Sequence, residues 1–108
     1  MRSEAQYQNE LITKVIPRFI PGAMVIKNDA SYVQGIPDLL ILFDDQWAML
    51  EVKRSEFDPF QPNQEYYLDM FNLMSFSAVI YPGVEEEVMR DLQEAFGIAR
   101  QARLFEPQ

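Results

Sequence analysis

Tyr7, Leu11 and Val15 fall four apart, with Ile12, Ile16 and Phe19 beside them. That spacing puts them on one side of a 3.6-residue helix and predicts a helix over residues 3–19 with Ser3 as N-cap. Pro17, then Pro21-Gly22, are expected to stop it, because proline donates no N–H and crowds the preceding turn. Residues 23–26, Ala-Met-Val-Ile, form a short apolar run that reads as a buried strand ending at Lys27-Asn28-Asp29. After a loop carrying Gly35, residues 36–43 read as a second strand, with Pro37 near its start where a missing amide proton is tolerated. Asp44-Asp45 makes the turn into a third strand over residues 47–53, so the two form a hairpin whose side chains alternate between faces.

Residues 54–62, RSEFDPFQP, have no regular period and read as a loop. Asn63 can cap the next helix, in which Gln64, Leu68, Phe71 and Met74 or Ser75 recur three or four apart, to about residue 75. Residues 77–81 predict a fourth strand, Pro82-Gly83 a turn, and residues 84–96 a last helix with Val88, Leu92, Ala95 and Phe96 on its apolar side. Glu85, Glu86 and Glu87 sit at its N-terminal end, where acids complement the helix dipole. The tail after Gly97 fits either an extension of that helix or a cap on a neighbouring chain. The order helix, three strands, helix, strand, helix predicts one α/β domain over residues 1–108, with helices covering a mixed sheet.

Composition narrows the chemistry. A chain of 108 residues has material for a single core, and its apolar runs fall well short of the roughly 18 residues that cross a bilayer. The opening MRSEAQYQNE has no apolar stretch after its arginine, so no secretory signal is expected and the cytoplasm is the expected location. There is no Cys and no His, which removes disulfides, thiolate nucleophiles, Cys/His zinc sites and imidazole acid–base chemistry. The net charge of −8 argues against coating nucleic acid by general attraction. Most of that charge lies after residue 54, however, and leaves the hairpin half nearly balanced.

The hairpin places Pro37-Asp38 at the start of one strand near Glu51-Val52-Lys53 at the end of the next. Alternation sends Glu51 and Lys53 to one face and Val52 to the other. Two carboxylates on adjacent strands repel when both are ionised, and a divalent cation offsets that repulsion. Asp38, Glu51 and the Val52 carbonyl would suit Mg²⁺, with Mn²⁺ as substitute, and Lys53 could orient a water or stabilise charge on a phosphoryl group. The plain alternative is an exposed strand acid with Lys53 as its salt-bridge partner. Against it stands the setting, since these charges interrupt the core-like strand WAMLEVK and directly precede LLILF.

With Gly35-Ile36-Pro37-Asp38, Glu51-Val52-Lys53 and the QPNQEYY segment in place, the chain resembles the PD-(D/E)xK metal-dependent nucleases, and within them the stand-alone phage VRR-NUC and Holliday junction resolvase-like proteins. The resemblance implies a restriction-endonuclease-like αβββαβ core with an extra C-terminal helix. It also implies a metal held by Asp38, Glu51, Val52 and an N-terminal helix acid, Glu4 with Glu10 as rival, and catalysis by Asp38, Glu51, Lys53 and Gln64. Lys27, Lys53, Arg54 and Gln64 would meet nucleic acid. The implied activity is endonucleolytic hydrolysis of DNA, selective for branched forms such as four-way junctions, by a twofold homodimer acting in phage recombination or processing. The contrasting expectation is a catalytically silent module of the same fold that binds a host or phage protein, favoured by the acidic second half and the loop aromatics Phe57 and Phe60. Restriction-like cutting at a defined sequence needs an added element to read base edges, for which the chain has little length.

Overall fold

Ser3 opens the first helix with a capping box: its hydroxyl accepts from the Gln6 amide at 3.1 Å while the Gln6 side chain accepts from the Ser3 amide at 2.8 Å. Two of the amides that a helix start leaves open are thereby satisfied. In the computed structural model, which describes residues 2–98, α1 (Glu4–Glu10) runs into a π-helical segment (Leu11–Val15) and on into α2 (Ile16–Phe19). Pro17 therefore does not end the helix as the sequence reading expects. A proline inside an α-helix leaves a carbonyl without its donor and collides with the turn before it. Here the preceding turn is widened, the Ile16 amide reaching back to the Leu11 carbonyl, and Pro17 falls in the first turn of α2, where no N–H is required.

Four strands follow in the sheet order β1 (Met24–Lys27), β2 (Leu39–Phe43), β3 (Gln46–Val52), β4 (Phe76–Ile80). The first two pairings are antiparallel and β3–β4 is parallel, so the sheet is mixed, as expected. Asp44, at φ 56°, makes the tight turn between the paired residues Phe43 and Gln46. The parallel pairing requires a crossover, supplied by α3 (Gln64–Met74), and α4 (Glu85–Phe96) completes the chain order. Gly97, at φ 76°, closes α4 in the left-handed conformation that helix ends commonly take. The alternatives for the tail beyond Ile98 fall outside the described residues.

Alternation along the strands divides the molecule into two layers around the sheet. Leu39, Ile41, Ala48, Leu50, Val52 and Ile80 face one side and are fully buried with Leu11, Ile16, Ile20, Met89 and Leu92 from α2, the π segment and α4. The opposite side is covered by α3, where Phe71 meets Trp47 edge-on at 5.8 Å. α3 lies mainly over β3 and β4, which explains one departure from the sequence reading. β1 is an edge strand rather than a buried one: Met24 and Ile26 are 62% and 42% exposed, and only Val25 turns toward the core. β2 also begins later than expected, at Leu39, because Pro37 and Asp38 are drawn out of the ladder to serve the neighbouring loop.

Candidate metal centre

Glu51 follows Trp47 and Met49 on the α3 side of β3, and Lys53 continues the alternation just beyond the strand. Both are buried, Glu51 to 2% exposure and Lys53 to 8%. They are therefore not the solvated strand pair of the plain alternative. Burying charged groups is costly unless they are paired and hydrogen-bonded, and here every bond comes from a few neighbouring residues. Gln64, at the first turn of α3, donates from Nε2 to Glu51 Oε2 at 2.7 Å and accepts from Lys53 Nζ at 2.8 Å. Lys53 Nζ also donates to the Pro59 carbonyl at 3.0 Å and stands 3.5 Å from Glu51 Oε2. The Phe60 ring lies 5.4 Å from the ammonium. The loop between β3 and α3 is thus folded back over Lys53, and its last stretch delivers Gln64.

Asp38 reaches the same place from the other strand of the hairpin, its Oδ2 accepting from the Val52 amide at 2.8 Å. Its backbone is held by Asn28, whose amide donates to the Asp38 carbonyl at 2.8 Å and whose side chain donates to the Pro37 carbonyl at 2.9 Å. Asn28 is a positioning residue that sequence reasoning missed; the signal was the Lys27-Asn28-Asp29 segment, in which attention fell on the lysine. Gly35 fixes the third side. A Cβ there would come within 2.6 Å of Asn63 Cβ and 2.7 Å of the Pro62 carbonyl, so the loop leading to Asp38 can lie against the start of α3 only without a side chain. Gly35 also sits at φ 91°, where glycine is at ease.

Electrostatics follow from this crowding. Burial raises the Asp38 carboxyl above the ordinary carboxylate range, against the pull of the Val52 amide and the Lys53 charge. Glu51 is pushed up to about 7, first by burial and then by the negative charge of Asp38, with Lys53 acting the other way. Two carboxyls this close favour holding one proton between them. Glu51 Oε1 is buried and has no hydrogen-bond partner, an arrangement that either a proton shared with Asp38 or a bound cation would relieve. The two carboxyl groups are hard oxygen donors, the ligand type that Mg²⁺ or Mn²⁺ takes.

Of the other expected site residues, Glu4, Glu10, Lys27 and Arg54 are not brought in. No group of three or more Asp or Glu side chains suited to a metal ion exists among the described residues. Glu4 is exposed at the start of α1, whose helical stretch packs on the sheet face opposite α3, and Glu10 pairs with Arg2. Lys27 is exposed at the end of β1. Arg54 is exposed, its Nε lying 3.6 Å from Asp58. Val52 contributes its amide to Asp38 and buries its side chain in the core.

Among the described residues no helix is long and apolar enough to cross a membrane. No protein-family model, no curated protein and no solved structure matches the chain.

Proposed function

We propose that the chain is a Mg²⁺- or Mn²⁺-dependent DNA endonuclease. The observation that carries the proposal is the network of buried Glu51 and Lys53 with Gln64, beside half-buried Asp38, that leaves Glu51 Oε1 without a partner. Buried groups of this kind, with raised carboxyl pKa values and an adjacent amine, are what metal-assisted phosphoryl chemistry requires. Asp38 and Glu51, with the Val52 carbonyl, would hold the ion, and Glu4 stands apart from them. When bound, the ion supplies Lewis acidity at a phosphodiester oxygen and lowers the pKa of water. Lys53 supplies a fixed positive charge beside the acids to stabilise charge developing on the phosphoryl oxygens. Gln64 keeps Glu51 and Lys53 at one spacing, and the Pro59 carbonyl restrains the ammonium.

The restriction-endonuclease-like core belongs to this reading through the resemblance, supported by the helix and strand order; a branched DNA substrate and a role in phage DNA processing rest on the resemblance alone. One site cuts one strand, so severing both strands of a junction calls for a twofold dimer. The uncovered apolar side of β1, with Met24 and Ile26, offers a surface for it. The same surface favours the second reading, a silent module that docks on another protein. Labelled four-way junction, duplex and single-stranded DNA, incubated with Mg²⁺, Mn²⁺ or EDTA, separate the two. Metal-dependent cutting that disappears in Asp38→Ala and Lys53→Ala supports the nuclease; cutting that survives both substitutions, or none in the parent protein, sinks it.

A further inference from the structure

At the end of the sheet where Lys53 emerges lies a cavity of about 270 Å³ lined by Arg2, Ser3, Tyr7, Arg54 and Pro82. Its walls come from three segments that the fold joins: the opening of α1, the residue following Lys53, and the turn after β4. The Lys53 amide is bonded to the Ile80 carbonyl at 2.9 Å, which ties the second segment to the third. The chain carries a net charge of −8, yet two of the seven Lys and Arg residues among the described ones line this space.

Both guanidiniums have donors to spare. Arg54 is mostly exposed and meets Asp58 through Nε. Arg2 pairs with Glu10 and lies over the Tyr7 ring, its Cζ 4.9 Å from the centroid. A guanidinium has five N–H groups, so a single carboxylate partner leaves the rest of the fork open, and that fork matches phosphate oxygens. Glu85, whose charge opposes an anion, stands beside the cavity and accepts from the Tyr7 hydroxyl at 2.9 Å, so a bound phosphate has to draw on the N–H groups that Glu10 and Asp58 leave open. Pro82 and the stems of the arginines offer an apolar side against which a sugar can lie.

We infer that this cavity is a second phosphate subsite, receiving a backbone phosphate of the DNA strand held at Asp38 and Glu51. The inference rests on the nuclease reading for which strand is held. Arg54 is three residues from Glu51, at most about 11 Å along the chain, a span that a short stretch of one strand covers. Two arginines here would fix the strand's register without reading its bases.

The test keeps binding apart from cutting. A short fluorescein-labelled oligothymidylate is titrated at low ionic strength in EDTA and followed by anisotropy, and thymidine 3′,5′-bisphosphate is titrated into ¹⁵N-labelled protein. The largest amide shifts are expected at Ser3, Tyr7, Arg54 and Gly83. Arg2→Gln and Arg54→Gln should each weaken oligothymidylate binding by roughly tenfold, and the pair together should flatten its salt dependence. Arg90→Gln, on the exposed side of α4 where it pairs with Glu86, should leave binding intact. Both arginines are on the surface, so unchanged melting curves will show that the variants fold. No binding, binding indifferent to both arginines, or amide shifts confined to other surfaces would overturn the subsite. If binding maps to the cavity while no DNA is cut in Mg²⁺ or Mn²⁺, the nuclease reading falls and a backbone-binding site remains.

Discussion

Lys53 has three N–H donors and three oxygens close by: Pro59 O, Gln64 Oε1 and Glu51 Oε2. Removing the amine leaves a buried acid and two part-buried acceptors without their cation, a loss that commonly costs about 3–5 kcal/mol. Lys53→Met is therefore expected to destabilise the fold by about 3 kcal/mol at pH 8 and by less at pH 5, where Glu51 holds a proton; urea unfolding at the two pH values measures the difference. Glu51 carries its own pH signature. Its carboxyl stands at about 7 in the fold against an ordinary 4.5, so between those values the folded state binds more protons than the unfolded one. Stability from this group is complete below the ordinary value and is lost as pH rises through about 7. Glu51→Gln keeps an oxygen for Gln64 Nε2 and carries no charge to desolvate. It should unfold at higher urea than the parent at pH 8, converge with it near pH 5, and give no heat on Mn²⁺ titration. A variant that loses stability at pH 8 would show that the ionised carboxylate is a net asset to the fold. Glu4→Ala is the matching control, expected to leave Mn²⁺ affinity within roughly twofold because Glu4 shares no partner with the pair.

Among the elements, the site depends on how the loop before β2 meets the start of α3. Gly35 lies against Pro62 and Asn63, and Asn63 itself takes a left-handed φ of 72°. Gly35→Ala adds a Cβ where the neighbouring atoms include backbone, at a φ that strains any L side chain. The expected loss is about 2–4 kcal/mol, from the left-handed conformation and overpacking together. Because the loop and α3 must separate to relieve the clash, Gln64 should retreat from Glu51 and Mn²⁺ affinity should fall along with the urea midpoint; full affinity in a destabilised variant would mean that the contact supports the fold and not the site. This contact shows what the sequence left illegible. Periodicity located each strand and helix to within a few residues, and the hairpin register followed from alternation, so Asp38, Glu51 and Lys53 were legible as neighbours. Gln64 was reached only through the resemblance, since nothing in the spacing of one helix says that its first residue spans two buried charges on a strand. Pro17 was misread because a local rule about proline ignores a π-turn that can absorb it. β1 was misread because an apolar run does not reveal whether a helix covers both of its faces. Asn28 and Gly35 act through backbone contacts across the chain, which no pattern of side-chain types records.

For the molecule as a whole, a net charge of −8 and the close acids Asp38 and Glu51, half-buried and buried, raise the same question, namely what ion offsets them. Self-repulsion in an acidic chain eases as general salt screens it, whereas a built site responds to divalent ions at concentrations too low to screen. A hundredfold excess of Mn²⁺ over its dissociation constant stabilises the folded state by about 2.7 kcal/mol, which for a domain of this size raises Tm by roughly 10 °C. The rise should be larger at pH 8 than at pH 5.5, because binding must displace the proton that Glu51 retains at the lower pH. Sodium chloride at matched ionic strength should reproduce little of it, and Asp38→Asn should remove it. The second half of the chain, with its excess of acids, supplies a further check. Replacing Glu86 and Glu87 on α4 by glutamine alters the same net charge far from the hairpin. If the Mn²⁺ effect follows net charge it should shrink in that variant as it does in Asp38→Asn; if it belongs to Asp38 and Glu51 it should persist unchanged. A Tm rise that is indifferent to Asp38 and reproduced by sodium chloride would leave the acids as surface charge and remove the metal from the mechanism.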